Sequence, residues 1–415
     1  MGFESLLVIG IIWIGFALHF VVEILNLGSA SKPIPQEFVD ALEPDAYQKN
    51  QDYLFETTRL SLVQSFVSPV IWTIAIAYGL FEYLDSNLLA LTNHEVLRGL
   101  LFFAVIGFFG WLIHLPFSLY DTFGIEAKFG FNRMKLVTFC FDQIKGALLG
   151  IILGGVVLSG VIWFFLTFNK IGWLITWAAL ITFEVCLLFI APTWIMPLFN
   201  KFTLLPDGSL KDEIQKYAKN QEFQISGIFT MDGSKRSNKA NAFFTGFGKN
   251  KRIVLFDTLL EKFSDSELVA ILAHEVGHYK KGHILRRLGI SFITTLLMFY
   301  LFGVFLRYPI GYLAVNVKLQ SIHVALLSFG ILYSPLSRLF GLFGLYISRK
   351  HEFEADEFSI RTYQHSSQLF SALKKLSLEN LSNLTPHPIK VLSQYSHPPV
   401  VERLQRIREE EVAQL

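Results

Sequence analysis

The chain has 415 residues, of which 52% are hydrophobic, 15% aromatic and only 17% charged, with a mean hydropathy of +0.44. A water-wetted surface carries about 25% charged residues, so this composition excludes a disordered chain, a fibrous protein and a wholly soluble enzyme. Lipid must solvate much of it. With 36 Lys and Arg against 34 Asp and Glu, the net charge is +2, and no global field points to nucleic acid as a partner.

Taken in chain order, seven stretches reach the ~20 mostly apolar residues needed to cross a bilayer. They are Leu6–Leu25, Leu62–Phe81, Leu97–Leu119, Gly146–Phe168, Ile171–Ile190, Leu288–Phe305 and Ile322–Ile347. The first lacks a basic leading region and a small-residue cleavage site, so it reads as an uncleaved span rather than a signal peptide. Asn26–Asp52 reads as loop with one short helix around Pro35–Leu42. Cys140 and Cys186 stand in apolar surroundings and read as buried small apolar residues.

Basic residues set the orientation. Lys32, Lys49 and Arg59 follow the first span, and Lys128, Arg133, Lys135 and Lys145 follow the third. The opposite loops hold only Arg98, Lys170, Arg307 and Lys318. The N-terminus is therefore expected outside, and the two polar stretches, 199–287 and 348–415, in the cytoplasm. The spans between them return the chain to one side, so the two stretches can fold together as one soluble domain. Within them Leu210–Asn220 reads as helix, and Gln224–Met231, Asn241–Phe247 and Arg252–Phe256 as strands, from their alternation and β-branched content.

The sharpest local pattern is His274-Glu275-Val276-Gly277-His278, preceded by Ser264 and Glu267 as a capping box and by apolar residues at helical spacing. Positions i and i+4 share a helix face, so both imidazoles can reach one Zn²⁺, with Glu275 placed as general base. The bland alternative is a polar helix face with incidental histidines. A catalytic zinc needs a third ligand. Position 284 is Ile284 and position 281 is Lys281, which excludes the metzincin spacing. His283 is one residue out of register and reads as a surface or supporting histidine. After the seventh span, Glu352 and Asp356 share a helix face, so Glu352 could ligate while Asp356 orients a ligand ring. His351 and Glu354 compete for the ligand role from other faces, and a solvated charged helix end competes with all of them.

Longer motifs carry a resemblance. They are Tyr120 to Glu126 with Gly130-Phe131-Asn132, Pro197 to Thr203, Gly233 to Ser237, Asn241 to Phe244, Lys251 to Leu259, and Tyr395-Ser396-His397-Pro398-Pro399 with Glu402 and Arg403. With the His274–His278 helix and the Glu352–Asp356 segment, they make most of the chain resemble the type I CAAX prenyl endopeptidases, integral-membrane zinc metalloproteases. The resemblance implies a mainly α fold in which seven transmembrane helices form a chamber. A gluzincin-type zinc metalloprotease domain, built from the polar segments after helices five and seven, closes that chamber on the cytosolic side. The expected division is 1–198 (spans one to five), 199–287 (first protease part), 288–347 (spans six and seven) and 348–415 (second protease part). His19, Glu23, His114 and Glu184 are then expected to face the chamber, although Glu23 fits an interfacial helix end equally well.

The resemblance further implies one Zn²⁺ on His274, His278 and Glu352, with Asp356 behind a ligand and Glu275 moving the proton. His397 and Arg403 are the candidates for oxyanion stabilisation. Asn241, Ala242 and Phe243 lie on the strand whose edge would pair with substrate, a plain core strand being the alternative. The expected partners are a peptide or protein substrate, prenylated or not, and the bilayer, with the chain acting as a monomer. Three other readings stand beside this one: a quality-control protease independent of prenylation, a catalytically idle scaffold, and a transporter with an incidental histidine pair. The membrane, bacterial inner membrane or endoplasmic reticulum, is not fixed by these residues.

Overall fold

The computed structural model describes residues 2–246, 251–363 and 366–413. Phe247, the last residue of the expected third strand, and the two final residues of the chain lie outside them. Helices dominate, because the apolar stretches leave no water to satisfy backbone groups and an α-helix bonds them internally. Among the described residues six helical runs are long and apolar enough to cross a membrane: Phe3–Ala30, Pro44–Ala77, Glu95–Lys128, Leu136–Leu198, His283–Phe305 and Ile322–Thr362. The chain is a multi-pass membrane protein.

Several boundaries depart from expectation. The segment 26–52 is mostly helical, with only residues 31–43 outside the first two helices and a 3₁₀ turn at Gln36–Phe38. The second span stops at Ala77, not Phe81, because Gly79 takes a left-handed φ of 66° and a separate helix, Leu80–Leu91, follows. The fourth and fifth expected spans fall inside one apolar run, broken by a 3₁₀ turn at Asn169–Ile171. Cys140 and Cys186 are exposed rather than buried: their apolar surroundings are outward-facing.

The polar stretches build a four-stranded sheet of β1 (Phe202–Leu204), β2 (Gly227–Met231), β3 (Ala242–Thr245) and β4 (Arg252–Phe256), in the order β1-β2-β4-β3. β2 and β4 are parallel; β1 and β3 are antiparallel edges. Ile228, Ile253 and Leu255 of the sheet pack on Leu268, Leu272 and Val276 of the Asp265–Lys280 helix and on Ile214 of the Ser209–Asn220 helix. This core fixes the sheet against the helix that carries the histidine pair.

Residues in and just beyond the apolar runs hold the loop ahead of β3. Arg236 donates to both carboxylate oxygens of Asp142 (2.8 and 3.0 Å), to Asn200, and to the Phe199 carbonyl (2.8 Å). Lys239 donates to Glu126 (3.0 Å) and Tyr53 (2.8 Å), and Asn238 bonds the carbonyls of Phe131 and Gly130. The C-terminal stretch is tied to the first helix in turn: Lys390 pairs with the buried Glu23, and Asn383 donates to Asn26. Glu23 is thus a buried ion-pair partner in the C-terminal part of the first helix.

Candidate active site

The Asp265–Lys280 helix begins at the expected capping box: Ser264 accepts from the Glu267 amide, and the Glu267 carboxylate accepts from the Ser264 amide. Its buried face carries His274 at one end of a turn and His278 at the other. Between them sits Gly277. A Cβ at this position would meet the Ala355 Cα and carbonyl oxygen and the Phe358 Cβ, each at 3.1 Å. Two helix backbones therefore cross here almost in contact, and the Ile322–Thr362 helix delivers Glu352 and Asp356 from either side of the crossing. Ser359, one turn further, donates to the Ala270 carbonyl at 3.0 Å.

The ligand atoms converge. His274 Nε2 and His278 Nε2 are 3.1 Å apart, and Glu352 sets Oε2 3.3 Å from the first and Oε1 3.3 Å from the second. Donors at ~2.0–2.1 Å around a tetrahedral Zn²⁺ lie about 3.3 Å from one another. The two imidazoles and the Glu352 carboxylate thus lie close enough to share one metal ion, each histidine facing a different carboxylate oxygen. Glu352 Oε2 is also buried with no aligned hydrogen bond despite its nearness to His274, an orphan acceptor that a cation satisfies.

Each histidine has its own support. His274 Nδ1 lies 2.8 Å from Asp356 Oδ1, and Arg403 clamps that carboxylate through Nε (2.8 Å) and Nη2 (2.6 Å). Burial depresses the His274 pKa, but the hydrogen bond and charge of Asp356, with help from Glu352, outweigh it and raise the group to about 9. His278 Nδ1 instead meets His283 Nδ1 at 2.9 Å; His283 is buried, not on the surface. Glu354 and His351, the sequence competitors for the third ligand, turn to His283.

The oxyanion candidates separate. Arg403 is buried behind the ligands, with Nη1 3.6 Å from Glu352 and its other nitrogens on Asp356. Two of its three nitrogens are thus committed to Asp356, which favours a positioning role over donation to substrate. His397 is mostly exposed, with Nε2 3.4 Å from Glu352 Oε1. Arg349 holds the tail ahead of it by donating to the Val391 and Tyr395 carbonyls (2.9 and 2.8 Å).

Glu275 is half-buried and lines a small cavity with Ala242, Phe243 and Phe244. β3 is an edge strand paired with β4, with Ala242 and Phe244 also packed against the apolar core. Asn241 lies just before it, and its carbonyl accepts from Phe256. By antiparallel alternation the backbone groups of Ala242 and Phe244 then face the open side. Asn241 Oδ1 occupies the Ala242 amide at 2.9 Å.

Residues 204–411 match the model described as peptidase family M48, and residues 23–201 match the CAAX prenyl protease N-terminal model with five membrane helices. The chain belongs to peptidase family M48. An M48 member of this build is a membrane metalloendopeptidase, and the family implies a metal at the His-His-Glu group. The chain is 33% identical to the CAAX prenyl protease 1 homolog of Arabidopsis thaliana, covering 96% of each. It is 32% identical to CAAX prenyl protease 1 of Saccharomyces cerevisiae, covering 89% of this chain and 87% of that one. The crystal structure of S. mikatae Ste24p superposes with a TM-score of 0.90 at 31% identity, over 98% of this chain and 99% of that one.

Two outcomes follow from this M48 geometry. Gly277→Ala is expected to destabilise the protein by about 1–3 kcal/mol through overpacking and to weaken metal binding; an unchanged melting midpoint and zinc affinity would contradict the close crossing. Second, a pKa of about 9 leaves His274 protonated in metal-free protein below pH 9. A metal ion on the His-His-Glu group would have to displace that proton, so adding Zn²⁺ near pH 7.5 should release about one proton per chain, and binding should tighten as pH rises toward 9. Calorimetry in buffers of different ionisation enthalpy reads this directly, and a buffer-independent heat would refute it.

Proposed function

We propose that the chain is a zinc endopeptidase that works at an intramembrane chamber and trims CAAX-type C-termini of prenylated proteins or peptides. The observation that carries the reading is the three-donor cluster beside an open strand edge, in a chain whose full-length relatives are named CAAX prenyl proteases. His274, His278 and Glu352 hold one Zn²⁺, Asp356 orients His274, and Arg403 positions Asp356.

When bound, zinc supplies Lewis-acid polarisation of the scissile carbonyl and lowers the pKa of water toward ~7. Glu275, one residue beyond the first ligand, takes the water proton and returns it to the leaving amine. Substrate extends along β3, where Ala242 and Phe244 offer outward backbone groups and Phe243 helps line the cavity beside Glu275. His397 donates to the tetrahedral oxyanion from the open side of the cluster.

The Leu136–Leu198 run, 63 residues, is about 95 Å long as a continuous helix, three times the hydrocarbon thickness. Its two limbs, either side of Asn169–Ile171, therefore cross separately and bring the count to seven. The basic loops support an N-terminus outside and both protease parts, 199–287 and 348–415, in the cytoplasm. Polar pairings inside the apolar runs support a wet interior: His114 with Gln64 at 3.0 Å, Ser291 with Glu184 at 3.4 Å, and His19 with Glu23 at 3.7 Å. One chain carries every residue named, so a monomer suffices.

Purified wild type should hold one zinc and cleave a farnesylated CAAX peptide, while Glu275→Gln keeps the metal and loses about 10²–10⁴-fold in rate. A chain without zinc, or one cutting only non-prenylated peptides, would overturn the proposal. His397→Ala should lower kcat by about 10²–10³-fold with little change in KM; an effect confined to KM would remove it from the oxyanion role.

A further inference from the structure

The two ligand histidines are supported by different chemistry. Behind His274 stands a carboxylate, the arrangement usual for a metal-bound imidazole. Behind His278 stands another imidazole. His283 Nδ1 is 2.9 Å from His278 Nδ1, its Nε2 is 3.0 Å from Glu354 Oε2, and it is only 1% exposed. His351 lies flat against it, ring centroids 3.9 Å apart and planes 9° from parallel. Arg286 and Lys350 flank Glu354 at 3.4 and 3.8 Å.

Proton placement along this row has one consistent solution. A ligand Nε2 must present a lone pair, so His278 carries its proton on Nδ1. His283 Nδ1 must then accept, which puts its own proton on Nε2, facing a carboxylate oxygen that accepts it. The reverse assignment would place a proton on His278 Nε2, only 3.1 Å from His274 Nε2. It would spoil the ligand.

We propose that His283, anchored by Glu354 and stacked on His351, is a positioning residue that fixes the tautomer and ring plane of His278. This rests on the zinc-site reading above. His283 touches neither the metal position nor substrate; it acts through His278. The sharp return of the chain makes it possible, since Gly282, at φ 69°, turns the end of the histidine helix directly into the helix that His283 starts.

The test uses the full-length purified chain, with chelator competition for Zn²⁺ and the visible spectrum of the Co²⁺-substituted protein. His283→Phe keeps a ring against His351 but removes the acceptor. It should weaken zinc binding about 10–100-fold and shift the cobalt bands. His283→Asn sets an amide oxygen where Nδ1 stood and should restore most of the affinity and the wild-type spectrum. Glu354→Ala, at a part-exposed site, should weaken binding in the same direction but less. Wild-type affinity and spectrum in His283→Phe, or equal damage in His283→Asn and His283→Phe, would overturn the assignment. If His283→Phe does not fold, wild-type zinc affinity in Glu354→Ala does the same. A wild-type chain without zinc would instead defeat the parent reading, so the two failures are told apart.

Discussion

Everything at the site depends on how closely two helices can approach. The third ligand lies 74 positions after the second in sequence, and only the crossing at Gly277 and Ala355 brings Glu352 within 3.3 Å of both rings. A methyl group on Gly277 would have to displace backbone rather than the end of a flexible side chain. The sheet, its apolar core and the Ser359 hydrogen bond all serve to hold that crossing.

The crossing buries charge, and charge makes its own demand. Glu352 and Asp356 bring two carboxylates into the interior against the single guanidinium of Arg403. With both histidines neutral, one negative charge stays uncompensated in a region where solvation is poor. A proton on His274 meets the deficit when no cation is present, which is why its pKa rises. A divalent ion meets it better, and proton and metal therefore compete for one place.

The sequence was legible wherever function is written at helical spacing. The capping box, the histidine pair and the Glu352–Asp356 pair are local patterns, and the helices they imply are the ones observed. Strand β4 was read to the residue, because its β-branched run is short and bounded. What could not be read depends on chain reversal and crossing. His283 lies five residues after His278, off the helical register, and becomes a partner only because Gly282 turns the chain back. Arg403 was recognised as important, but which way its guanidinium faces is decided by packing against Asp356. Apolar periodicity likewise gave no sign of the break at Gly79 or of the short β1.

The amide cap at the start of β3 has a consequence for recognition. Asn241 already satisfies the outward Ala242 N–H, so this edge does not present an unmet donor at that position to any strand that drifts past. If substrate runs along this edge as proposed, it exchanges one hydrogen bond for another there, and its net gain comes from residues further along. On that reading short extended segments would be held weakly, and a polypeptide long enough to run beyond the capped position would be favoured. Selection by reach begins before any side chain is inspected.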